Sequence, residues 1–107
     1  MPKYITLGIY TNEGAAGIVD GTSDRRAAME TMCNSVGAKL VGYDITRGQF
    51  DFCTVIEADS FEIMAAMLLK GRASGATSEL VTLEAVDVDK IRGAAKSVQF
   101  TPPHGEN

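Results

Sequence analysis

An α+β domain with the element order βαββαβ is what this sequence predicts, and three observations predict it. Lys3 to Tyr10 alternates with the period of a strand, Ile5, Leu7 and Ile9 on one face and Tyr4, Thr6, Gly8 and Tyr10 on the other. Two helical stripes, near Asp24–Val36 and from Asp59 onward, are each followed by a run suited to a strand. Between them, Arg47-Gly48-Gln49-Phe50-Asp51-Phe52 reads as a hairpin tip feeding Cys53 to Glu57, the most apolar strand-like stretch of the chain. At 107 residues the chain suits one domain, expected over 1–98, with a flexible C-terminal tail over 99–107.

In chain order, the first strand is followed by Thr11 to Ser23, which carries Gly14, Gly17 and Gly21. It reads as a long connection with room for a short helical turn. The spacing Met29, Met32, Cys33, Val36 gives the first clear helix its buried stripe, with Thr22, Ser23 or Asp24 as N-cap and Gly37 as its stop. Lys39 to Thr46 forms the second strand, where imperfect alternation leaves room for a bulge. Gly48 supplies the positive φ of the hairpin, and the third strand runs from Phe50 to Glu57. An Asp59/Glu62 pair resembles a capping box opening the second helix. Its inner stripe is expected to be Phe61, Met64, Ala65 and Leu68, leaving Ile63 and Met67 outward as a second assembly contact or under the terminal helix. Thr77 to Val86 is the fourth strand, and Asp87 to about Val98 a short terminal helix.

This order is the split-βαβ, ferredoxin-like arrangement: a four-stranded antiparallel sheet, strands one and three central, both helices on one face. The third strand is apolar on both faces, with Cys53 and Val55 expected toward the helices and Phe50, Phe52 and Ile56 away from them. Leaving those three large side chains in water forfeits roughly 1.5–3 kcal/mol each. A second copy of the sheet, packed face to face, is the economical cover, so a homo-oligomer, at least a dimer, is expected.

Fourteen acidic residues against ten basic ones give a net charge of −4 with no basic run, which argues against nucleic acid. No apolar run approaches membrane-spanning length and no leader precedes the first strand, so a cytoplasmic protein is expected. Cys33 and Cys53 match no zinc-ligand spacing and are expected reduced and buried in the helix–sheet core. The sole histidine, His104, lies in the Pro-rich tail, so no metal site, cofactor or His-dependent triad is expected.

The residues Pro2-Lys3-Tyr4-Ile5-Thr6-Leu7, Tyr10-Thr11, the Gly48-x-Phe50-Asp51 hairpin and Glu57-Ala58 together resemble the GYD-domain family, from about Lys3 to Val86. The signature tyrosine is replaced by Phe50, so no tyrosine hydroxyl acts at that position. The resemblance implies a dimeric α/β barrel, two ferredoxin-like sheets facing one another, and transfers no catalytic residue.

The residues themselves nominate a ligand cavity on the sheet face taken to be open: Tyr4, Thr6, Tyr10, Phe50, Asp51, Phe52, Thr54, Thr82 and Glu84. Hydroxyls and a carboxylate among aromatics suit a small organic ligand held between subunits, and equally suit a dimer interface. Asp51 is either an acid, base or ligand anchor at the cavity rim, or a turn carboxylate satisfying backbone donors or Arg47. The Gly14–Gly21 loop lacks phosphate-cradle spacing, and Glu57, Asp59 and Glu62 read as strand end and helix cap. Three functions follow: an oligomeric ligand-binding protein, a cofactor-independent enzyme of monooxygenase or isomerase type in the same cavity, or a structural or partner-binding module.

Overall fold

In the computed structural model, which describes residues 1–103, eight elements follow in order. They are β1 (Lys3–Tyr10), α1 (Asn12–Val19), α2 (Arg25–Ser35), β2 (Lys39–Ile45), β3 (Phe52–Glu57), α3 (Phe61–Ala73), β4 (Thr77–Ala85) and α4 (Val88–Ala95). The sheet is antiparallel in the order β2-β3-β1-β4, so β1 and β3 are central, as the ferredoxin-like order requires. The stretch expected as a connection holds a full helix, α1, capped by Thr11, whose side chain accepts from the Gly14 N–H. Gly14 lets α1 close onto the start of β4, because a Cβ there would collide with the Ala76 carbonyl.

Local chemistry sets the boundaries. Asp24 caps α2 by accepting from the Ala27 N–H. Ser60, one residue beyond the expected cap, accepts from the Ile63 N–H and opens α3. The β2–β3 register shifts between Leu40 and Gly42, which is the bulge the imperfect alternation left room for. Gly48 carries φ +124° in the hairpin tip, and Thr46 closes it with its N–H to the Asp51 carbonyl and its hydroxyl to the Phe50 carbonyl. Phe50 therefore belongs to the turn, and β3 starts at Phe52.

The two faces of the sheet are the reverse of the expectation. Tyr4, Phe52, Thr54 and Ile56 are each at most 3 % exposed, under α2 and α3. The core joins Tyr4 and Ile56 to Cys33, Ala38, Met64 and Met67. Cys53 and Val55 point to the opposite, uncovered face, so Cys53 is half-buried there while Cys33 alone is in the core. Both faces of β3 are apolar, and period two separates the faces without saying which one the helices cover.

The phase of α3 differs for the same reason. Met64 and Met67 are its buried residues and Ile63 packs beside them, whereas Phe61 and Leu69 are exposed. A helix apolar nearly all round offers more than one inner stripe, and packing against the sheet selects one. The second interface expected through Ile63 and Met67 is thereby withdrawn.

α4 projects from the body. Its Val88 and Ile91, and Val98 and Phe100 beyond it, are all more than half exposed. The longest dimension is 62 Å and the radius of gyration 18.1 Å, against about 13 Å for a compact chain of this length. His104 lies outside the described residues.

Candidate functional site

The nominated residues separate by face and by element. Tyr4, Thr6, Phe52, Thr54, Thr82 and Glu84 share the helix-covered face through the register Tyr4↔Ile56, Thr6↔Thr54, Gly8↔Phe52, Thr6↔Thr82 and Tyr4↔Glu84. Tyr10 lies at the β1 end, while Phe50 and Asp51 belong to the hairpin. A cavity between subunits built from this set is therefore replaced by a layer inside one chain.

At the hairpin end of this layer lies an aromatic stack. The Phe52 ring sits 4.7 Å from that of Tyr10 and 6.1 Å from that of Tyr43, both stacked, and the Tyr10 and Tyr43 hydroxyls are bonded to each other. Gly8 makes room for it, since a Cβ there would overlap the Phe52 ring and Leu80. Burial pushes the Tyr43 hydroxyl up to about 12. The fold therefore favours the protonated phenol. The stabilisation is fully present below the ordinary tyrosine value of about 10 and is lost as pH rises from there through the folded value. Alkaline unfolding should accordingly steepen above pH ~10 in the native protein and be blunted in Tyr43→Phe, followed by circular dichroism alongside tyrosinate absorbance.

Asp51 has a defined structural task. Its carboxylate accepts from the Tyr10 N–H at 3.0 Å, just past the last β1–β3 pair and where the β1–β4 register shifts, while its own N–H donates to the Gly8 carbonyl at 2.8 Å. The side chain thus takes over the ladder where backbone pairing stops. No ion pair joins it to Arg47 among the described residues. Asp51→Ala should cost about 1–3 kcal/mol in urea unfolding, because it orphans a backbone donor, whereas Asp51→Asn keeps an acceptor and should cost less.

Toward the middle of the layer, a cavity of about 50 Å³ lies between helices and sheet. Met29, Met32, Phe52, Met67 and Leu80 provide its apolar lining. Thr6, Thr54, Thr77 and Arg25 add polar groups. Sequence reading missed Arg25 and Thr77; nothing in their local pattern separates them from an ordinary helix start and strand start.

The opposite face of the sheet is apolar and bare. β1 contributes Ile5, Leu7 and Ile9, β3 contributes Cys53 and Val55, and β4 contributes Val81 and Leu83, the last two 41 % and 49 % exposed. Among the described residues no helix covers it, and no group of three His, Cys, Asp or Glu side chains gathers as for a metal. No helix is long and apolar enough to cross a membrane.

Comparison with known proteins gives a family match and a fold match. The GYD domain model matches residues 4–95. A Thermus thermophilus protein, named glutamine synthetase and cystathionine beta-lyase binding protein, is 28 % identical over 88 residues, covering 82 % of this chain and 92 % of that protein. Among solved structures, FFRP-DM1 superposes with a TM-score of 0.54 at 15 % identity, over 80 % of this chain and all of the other. A second, TTHA0845 from Thermus thermophilus, gives 0.53 at 14 % identity, over 81 % and 95 %. At such identities the two structures speak for the fold alone.

Proposed function

This chain belongs to the GYD-domain family, and from that premise we propose that it is a protein-binding module working as a homodimer. The observation that carries the reading is the uncovered apolar sheet face of Ile5, Leu7, Ile9, Cys53, Val55, Val81 and Leu83. Its scale fits. The chain exposes 7452 Å², whereas a compact monomer of 11.4 kDa exposes about 5,800 Å². The surplus of roughly 1,700 Å² per chain, doubled in a pair, falls within the range of obligate homodimer interfaces. The open face and the projecting α4 contribute to that surplus, the second with Val88 and Ile91 one turn apart on the helix and Val98 just beyond its end, all more than half exposed.

A second sheet lying on the open face excludes water from seven apolar side chains and leaves the charged margin, Lys3, Lys39, Asp44 and Glu57, at the rim, the usual anatomy of an interface. By analogy with the Thermus thermophilus relative, the dimer is proposed to bind a metabolic enzyme rather than to catalyse a reaction itself.

Light scattering gives the mass, and thiol labelling locates the contact. The expected result is a dimer at micromolar concentration in which Cys53 labels slowly. Cys33 stays unreactive until unfolding, because burial pushes its thiol up and hides it. A monomer with fast-labelling Cys53 overturns the dimer. Sedimentation with glutamine synthetase and with cystathionine beta-lyase tests the second half, and failure of both to co-sediment overturns it.

A further inference from the structure

We propose that α4 and the segment after it, as far as Phe100, form an arm that packs against a second copy of the chain, each protomer holding the other at the margin of the open sheet face. The inference rests on the dimer proposed above and adds to it a contact made by a different part of the chain. Every residue from Leu83 to Thr101 is exposed. Within that stretch Val86, Val88, Ile91, Val98 and Phe100 are large, apolar and each more than half exposed. Single exposed apolar residues are ordinary, whereas a cluster of this density marks a contact surface. Among the described residues no strand or helix of the same chain packs extensively on α4. Locally the helix is held by Asp87, whose carboxylate accepts from the Asp89 N–H, and by the exposed Arg92–Asp89 pair at 3.2 Å. A helix of eight residues with Gly93 inside it gains most from a surface that covers it.

Three observations make that surface a second copy. The first is position. A groove of about 500 Å³ lies between α4 and the start of β1, bordered by Met1, Pro2, Lys3, Ala85, Ile91 and Ala94. Lys3 and Ala85 are register partners, and they end the rows in which Ile5 faces Leu83 and Leu7 faces Val81. The groove therefore begins where the open face stops, and a sheet laid on that face arrives beside α4.

The second is area. The surplus surface of roughly 1,700 Å² per chain is about twice what one partner contributes to an interface of standard size. On the open face Ile5, Leu7, Ile9, Cys53 and Val55 are already half-buried, so the arm carries the more exposed share. A pair joined both through the sheets and through the arms accounts for the whole.

The third is charge. From Val88 to Thr101 the arm has three cations, Lys90, Arg92 and Lys96, against one carboxylate, Asp89, a balance of +2. Residues 1–87 have seven basic side chains against twelve acidic ones, a balance of −5. An apolar arm with a basic flank suits an acidic body, and two-fold symmetry makes the exchange reciprocal and closed.

The test uses the full-length protein, with carbon-13-labelled and unlabelled chains refolded together in equal amounts. Isotope-filtered nuclear Overhauser spectra then report only contacts between protomers. Cross-peaks are expected from the methyl groups of Val88 and Ile91 and from the Phe100 ring. Their absence, while Leu7 and Val81 do show them, overturns the arm contact and leaves the sheet dimer standing. The opposite pattern keeps the arm and overturns the sheet contact, and a monomeric mass with neither overturns both. In sedimentation equilibrium Ile91→Glu should weaken the dimer at least about tenfold, because it places a carboxylate in an apolar contact. Phe100→Ser, outside every helix and strand, should weaken it too and serves if the first variant fails to fold. Native-like dimerisation of a folded variant overturns the proposal. So does an arm that shows no contact between protomers yet binds vesicles of equal phosphatidylcholine and phosphatidylglycerol, since its cover would then be a membrane surface.

Discussion

Leu7→Asp is expected to convert the proposed dimer into a folded monomer. Leu7 lies at the centre of the open face, between Cys53 on β3 and Val81 on β4. In a single chain its side chain lies half-buried on the face away from the core, so an aspartate there still reaches water and the core beneath is untouched. In the dimer the same carboxylate is buried without a partner on each side of a two-fold interface. Each such burial costs several kcal/mol, against an interface whose driving force is mainly apolar area. Light scattering should therefore give half the native mass at unchanged far-ultraviolet circular dichroism, and Cys53 should label rapidly. Phe52→Asp provides the contrast. It stands on the neighbouring strand pair but faces the helices, 3 % exposed, and should unfold the chain rather than separate two folded ones. A dimeric Leu7→Asp, or a folded Phe52→Asp monomer, would show that the faces are assigned the wrong way round.

Gly8→Val should be the most damaging conservative change within the sheet. Any Cβ at position 8 enters the space of the Phe52 ring, and that ring cannot retreat, being wedged between Tyr10 and Tyr43. Overpacking of this kind costs about 1–3 kcal/mol and more where neighbours are fixed. With Tyr43, Tyr10 and the Asp51 bond to the Tyr10 N–H all connected to the ring, the upper end is expected. Phe52→Ala alone should cost about 3–5 kcal/mol by opening a cavity. The double variant should cost clearly less than the sum of the two, because valine then fills part of the space the ring vacates. Additive costs in urea unfolding would mean that Gly8 and Phe52 do not meet.

Much of the candidate site was out of reach of pattern reading, for a physical reason visible in particular residues. Asp51 was readable as a turn carboxylate serving backbone donors, yet the donor it serves, Tyr10 N–H, lies 41 positions away and only the β1–β3 register names it. Arg25 and Thr77 are ordinary in their local contexts, and their meeting at one cavity follows from α2 and β4 packing on a common face. Gly8 was the one usable signal. A glycine inside an alternating strand marks close approach by another group, and it lies directly opposite Phe52.

By itself the sequence determined the order of the strands and of α2, α3 and α4, because periodicity, caps and turn residues act within a few positions of one another. It also determined the hairpin at Gly48 and the family to which the chain belongs, and left room for the bulge that the structure places before Gly42. Only the tertiary structure decided which side of the sheet the helices cover, which stripe of α3 points inward, and that α4 stands away from the body. β1, β3 and α3 each carry apolar residues on two sides, so burial of either side gains nearly the same area. The choice between two such faces belongs to the fit of large against small, Phe52 over Gly8 and Met64 beside Tyr4 and Ile56, which no single segment contains.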